Sequence, residues 1–117
     1  MTADPTAVVE RYLGCLVAHD WEGLADCLAA DVVRIGPFGD TYSGPAYLDF
    51  ISALMPTLRG YAMTVDRVTT DGPVAVAQLS ETMEIDGAAV ETKEALVFEV
   101  GPEGRIRRIE IYIQRRR

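Results

Sequence analysis

The sequence predicts a single α+β domain, with about three helices packed on one face of a curved, mainly antiparallel β-sheet. Three observations carry that prediction. Apolar residues recur at helical spacing in three segments before Pro56. After residue 60 the pattern changes to alternation, which is the strand period. The turn signals Asp71-Gly72-Pro73, Asp86-Gly87 and Gly101-Pro102-Glu103-Gly104 then divide this second part into four strands. A chain of 117 residues fits one domain and is long enough to bury a core.

Taken in order, Asp4-Pro5 makes a helix start, because Asp accepts bonds from free backbone donors and Pro is tolerated in the first turn. Val8, Val9, Tyr12, Leu13 and Leu16 form the apolar stripe of that helix. Asp20 caps a second helix through Trp21, Leu24, Ala25 and Leu28, ending before Asp31. Val32-Val33-Arg34-Ile35 reads as a short strand, broken by Gly36-Pro37-Phe38-Gly39-Asp40. Ser43-Gly44-Pro45 opens a third helix carrying Tyr47, Leu48, Ile51, Leu54 and Met55, and Pro56 stops it. Residues 61–70, 74–85, 89–100 and 105–113 are the four strands, and Asp86-Gly87 is the strongest hairpin signal.

Charge and composition remove several function classes. The net charge is −7, yet residues 105–117 hold six arginines and one glutamate. Arg115-Arg116-Arg117 alone would suit nucleic acid, but the acidic body repels phosphates, so no nucleic-acid partner is expected. The apolar runs are too short to span a bilayer, and Met1-Thr2-Ala3-Asp4-Pro5 has no secretory character. A cytoplasmic location with no membrane partner is the expectation. Cys15 and Cys27 read as reduced thiols packing as small apolar groups, with a disulfide between them as the alternative. Neither cysteine nor His19 has metal-ligand spacing, so no metal and no cofactor are expected.

Alternation also sorts the strand residues by face. Ala75, Ala77, Leu79, Met83 and Ile85 share one row, and Glu81 lies among them. Val90, Leu96, Phe98 and Val100 share a row with Glu94. A two-residue turn at Asp86-Gly87 would set position 81 opposite 92 and 79 opposite 94, making Glu81 and Glu94 diagonal neighbours on the helix-facing side. A carboxylate in an apolar site must pair, protonate or line a wet cavity. Two together push at least one pKa up, which is how an acid or base near neutrality is often made. The plainer alternative is that a bulge or strand end leaves either one in solvent, as Glu84, Glu91 and Glu99 are expected to be. Tyr12 is likewise either a core tyrosine or a donor to a substrate carbonyl. Met55, Met63 and Met83 read as gap-fillers.

With these residues in place, the chain resembles the nuclear transport factor 2-like superfamily, and in particular the SnoaL-like polyketide cyclases and bacterial ketosteroid isomerases. The resemblance runs through Ala7-Val8-Val9, Arg11-Tyr12, Asp20 to Gly23, Ala30-Asp31, the Pro37 to Gly39 turn, Ser43-Gly44 and Gly104-Arg105-Ile106. It implies a cone with a deep apolar pocket and a homodimer formed through the outer sheet face. By similarity the isomerase tyrosine falls on Tyr12, while its base position holds Gly36 and its protonated aspartate position holds Leu96. That mechanism is therefore not carried over whole. The Asp-Arg-Asp set of related epoxide hydrolases falls on Glu84, Thr82 and Ile111, without the arginine and one acid.

Two functions follow as expectations. In the first, the domain binds or converts a small apolar, carbonyl-bearing molecule. Glu81 or Glu94 transfers protons and Tyr12 donates, between walls of Leu16, Phe38, Leu79, Met83, Leu96 and Ile109. Glu94, two residues before Leu96, supplies an acid from a shifted position. In the second, the domain is a non-catalytic dimeric module packing Ile106, Arg108, Glu110 and Tyr112 of the last strand against a partner.

Overall fold

In the computed structural model, which describes residues 4–114, helix α1 (Pro5–Ala18) starts as the sequence predicts. The Asp4 side chain accepts from the Thr6 backbone N–H at 3.0 Å. His19 closes the helix in the left-handed region at φ 57°, and Asp20 caps α2 (Trp21–Asp26) by accepting from the Gly23 N–H at 3.0 Å. Here the structure corrects the sequence reading. The helix ends at Asp26, and Leu28 already belongs to strand β1 (Leu28–Ile35). The cause is tertiary: the Ile106 N–H donates to the Cys27 carbonyl at 2.8 Å, and Leu28 pairs with Ile106. A distant strand claims residues whose local spacing also suits a helix.

A short strand β2 (Thr41–Ser43), absent from the sequence reading, folds back on β1. Helix α3 (Pro45–Leu54) is not stopped outright at Pro56 but runs into one 3-10 turn, Met55–Thr57. Strands β3 (Ala62–Asp71), β4 (Val74–Ile85), β5 (Ala88–Val100) and β6 (Ile106–Ile113) form the meander. At its hairpin, Asp86 and Gly87 both take positive φ, 52° and 80°, as a two-residue turn matched to strand twist requires. The register is the expected one, with Leu79 opposite Glu94 and Glu81 opposite Thr92.

The six strands lie in the order β2-β1-β6-β5-β4-β3, with β1 parallel to β6 and every other pair antiparallel. This is the α+β arrangement read from the sequence. Helix α1 packs on β3 and β4, while α3 packs on β1 and β2. Between helices and sheet lies one core that includes Val9, Tyr12, Leu24, Tyr47, Phe98 and Ile109.

Two facing assignments change. Ile85, expected inside, is 50% exposed at the hairpin end, beyond the cover of the helices. Ile106, expected on the outer face, is fully buried, because the β5–β6 register shifts between Glu99 and Val100 and re-aims the start of β6. Arg108 and Tyr112 remain exposed on the outer face. No helix among the described residues is long and apolar enough to cross a membrane. Arg115-Arg116-Arg117 and Met1-Thr2-Ala3 lie outside the described residues.

Candidate active site

The inward rows of β4 and β5 bring Glu81 and Glu94 together, and the segment entering β3 adds Tyr61. The Tyr61 hydroxyl donates to Glu81 Oε2. Glu81 is also hydrogen-bonded to Glu94. Burial chiefly, then the hydrogen bond to Glu81 and its negative charge, push Glu94 from its ordinary value of 4.5 up to about 9, with Arg34 pulling weakly the other way. At neutral pH Glu94 is therefore held as a carboxylic acid beside Glu81. Tyr61 is held well above the usual tyrosine range, first by burial and then by its bond to Glu81.

Tyr12 points into the same interior but not at the glutamates. Its hydroxyl shares a hydrogen bond with Tyr47, delivered by α3, and its ring meets Phe98 edge-on, 5.6 Å between centroids at 71°. Burial, followed by the neighbouring Tyr47, raises Tyr12 well above its ordinary pKa, so it is a neutral donor. Arg34 and Tyr61 both act on the Tyr12 hydroxyl electrostatically, the first lowering its pKa and the second raising it.

The second cluster is Arg34 with Asp40. Arg34 shares the inward row of β1 with Val32 and is only 7% exposed. Its Nη1 donates to Asp40 Oδ2 at 2.8 Å. Its guanidinium carbon stands 5.0 Å from the Phe50 ring centre and 5.9 Å from that of Tyr47.

The expected wall residues separate into three groups. Leu16, Leu79, Leu96 and Ile109 are buried members of the core cluster. Met83 is half-buried on β4. Phe38 does not face the interior: it is 79% exposed on the turn after β1, where the β1–β2 hairpin carries it outward. A cleft of about 640 Å³ opens between α1 and β3, lined by Glu10, Leu13, Gly14, Val17, Met63 and Val65 among others. Met63 is the direct cross-strand partner of Glu81, so this apolar cleft adjoins the carboxyl pair. Among the described residues no group of His, Cys, Asp or Glu is placed to hold a metal ion. Cys15 and Cys27 are free thiols, the latter buried and raised in pKa by that burial.

Sequence reasoning missed Tyr47, Tyr61, Arg34 and Asp40. Tyr61 was legible in principle, since it continues the period-two row of Met63 backwards from β3. Arg34 was ambiguous, because a four-residue strand gives no way to choose which of two alternating rows faces inward.

This geometry sits in a recognisable frame. The family model for the SnoaL-like domain matches residues 9–109. The chain belongs to the SnoaL-like family. Its fold is shared with an LEH-like epoxide hydrolase from M. tuberculosis, at 21% identity over 94% of this chain and 82% of that one, with a TM-score of 0.82. It is shared too with SalBIII, an epoxide hydrolase/cyclase-like enzyme in pyran ring formation in polyether salinomycin, at 14% identity over 94% and 90%, TM-score 0.80. A protein of ketosteroid isomerase-like fold from Catenulispora acidiphila DSM 44928, in complex with trimethylamine, aligns at 15% identity over 96% and 86%, TM-score 0.79. At these identities the likeness speaks for the SnoaL-like fold and not for an activity. No curated protein matches this SnoaL-like chain in sequence.

Proposed function

We propose that this SnoaL-like domain is an acid/base enzyme of the isomerase, cyclase or hydrolase type acting on an apolar, carbonyl-bearing small molecule, without a metal. The observation that carries the reading is the inward Glu81–Glu94 pair, diagonal neighbours on β4 and β5 with Tyr61 donating to Glu81, where burial and the neighbouring acid raise Glu94 to about 9. A held proton and a second carboxyl thus stand side by side, the arrangement a proton transfer uses. In this reading the Glu81 carboxylate takes a proton from carbon next to the ligand carbonyl, and the C–H electron pair moves into the enolate. Glu94 donates to the carbonyl oxygen as charge develops there, and the proton returns at another carbon or a ring closes. Tyr61 orients Glu81, and Tyr12 with Tyr47 offers a further neutral donor. In this reading the apolar body of the ligand enters from the cleft beside Met63 and displaces packing among the core side chains Leu16, Leu79, Leu96 and Ile109 and the half-buried Met83.

Solvent-deuterium incorporation into a simple apolar enolisable ketone such as 2-tetralone, followed by NMR, tests it. The protein is expected to accelerate exchange, and Glu81→Gln or Glu94→Gln to remove that acceleration. Equal rates with and without the protein for a panel of such ketones would sink the enzyme reading.

A second reading, a non-catalytic dimeric module, draws on the outer sheet face. A concavity of about 740 Å³ lies there, lined by Asp66, Arg67, Gln78, Lys93, Tyr112 and neighbours. Homodimerisation through this face is part of either reading. Light scattering on the purified chain is expected to give twice the monomer mass.

A further inference from the structure

The Arg34–Asp40 pair has a surplus of hydrogen-bonding capacity that an ion pair alone does not explain. Arg34 Nε and Asp40 Oδ1 are buried and have no hydrogen-bond partner among the described residues. Leaving such groups unmatched is unfavourable, the more so when they are charged, so a purely structural pair would be expected to satisfy them. The pair is nevertheless held in place. Nη1 is fixed on Asp40 Oδ2 at 2.8 Å, and the guanidinium rests against Phe50, which is itself stacked on Tyr42 with centroids 4.0 Å apart.

Position 36 shows that room is kept for the carboxylate. Gly36 continues the inward row of Val32 and Arg34, and a Cβ built there would lie 2.3 Å from Asp40 Oδ1. The backbone loop is closed by the Gly36 N–H donating to the Asp40 carbonyl at 2.8 Å. A side-chain carboxylate from position 40 thus stands where a side chain at position 36 would be.

We infer that Arg34 and Asp40 form a station for a hydroxyl group on an apolar ligand. Nε–H donates to the hydroxyl oxygen, and Asp40 Oδ1 accepts the hydroxyl hydrogen. The chemistry selects this class. A carboxylate would meet the charge of Asp40, and an ammonium that of Arg34. A bare carbonyl satisfies Nε only, and an alkyl group neither. The inference rests on the interior being the ligand site, as in the function proposed above, and it narrows the ligand to an apolar hydroxy-carbonyl compound.

Equilibrium dialysis of the whole chain against 2-naphthol and the similarly shaped 2-methylnaphthalene tests the station. The parent is expected to bind the naphthol about ten-fold tighter, the yield of one charge-assisted donor–acceptor pair. In the double variant Arg34→Met with Asp40→Ala, which leaves no unpaired buried charge, the two affinities should agree within about three-fold. The affinity for 2-methylnaphthalene should stay at the parent value. Gly36→Ala keeps both charges but displaces the Asp40 carboxylate, and should also abolish the preference. It serves as the test if the double variant does not fold. Equal affinities in the parent would mean that the pair holds an ordered water only, overturning the station while the apolar site stands. A preference surviving either substitution would place the hydroxyl elsewhere and overturn it too. Binding of neither probe would overturn both the station and the ligand site on which it rests.

Discussion

Glu94 and Glu110 stand on adjacent strands of one sheet, and their acidities move in opposite directions. Glu94 faces the helices, and burial with a neighbouring carboxylate raises it to about 9. Glu110 faces outward, where Tyr112 and Arg108 both donate to it and lower it. The outer face repeats the pattern elsewhere: Ser80 donates to Asp66 at 2.7 Å, and Lys93 donates to Ser80 at 2.6 Å. Polar residues on that side pair with opposite partners in water. On the inner side two acids are set together among apolar residues, which is unfavourable for folding and useful for moving a proton. The difference teaches that the face, and not the residue type or strand, decides what a glutamate in this domain does.

The largest effect should come from breaking the inner pair. Glu94→Gln or Glu81→Gln is expected to lower catalysed exchange by about 10²-fold or more, the usual contribution of a positioned acid or base. Glu110→Gln should leave the rate unchanged, which the same NMR assay reads directly.

A second effect appears in stability. Below the ordinary value of 4.5 Glu94 is protonated in both folded and unfolded chains, and between there and about 9 only the folded chain keeps the proton. Rising pH across that window therefore removes stability contributed by Glu94, and above it the loss is complete. Between about pH 5 and about pH 9 the parent should lose at least about 4 °C more in Tm than Glu94→Gln does. Parallel pH profiles of the two proteins, by calorimetry, would contradict the buried-acid assignment.

Tyr61→Phe is smaller again. It removes one donor from Glu81, and chemical denaturation should register a loss of about 1 kcal/mol, with exchange slowed about ten-fold. The smallest effect belongs outside. Glu110→Gln loses exposed partners screened by water, and its Tm should shift by less than about 2 °C, falling further in high salt.

The meander and its register were legible because alternation and an Asp-Gly turn are local signals, and they sufficed to make Glu81 and Glu94 diagonal neighbours. What escaped was whatever depends on remote partners. Cys27 and Leu28 continue a helical spacing, and only Ile106 turns them toward the sheet. Tyr12 was read as a lone donor because nothing at position 12 announces Tyr47, thirty-five residues on. Phe38 looks like a wall by its size, yet the hairpin leaves it outside. Asp40 sits in a turn-rich stretch that reads as solvent, and its side chain does stay 39% exposed; only its pairing with the buried Arg34 ties it to the interior.

The parallel pairing of β1 with β6 has a consequence for how the chain is made. Strand β1 joins the sheet only beside β6, the last strand to be synthesised. Residues 62–100 have local hairpin partners and can assemble early, whereas β1 with its attached β2 must wait for the C-terminal strand. Arg34 and Glu94 therefore come to share one interior late, after the longest loop closure in the domain. During translation the apolar face of β1 stays without its neighbour until residues 106–113 emerge, which makes this the stretch most in need of chaperone cover.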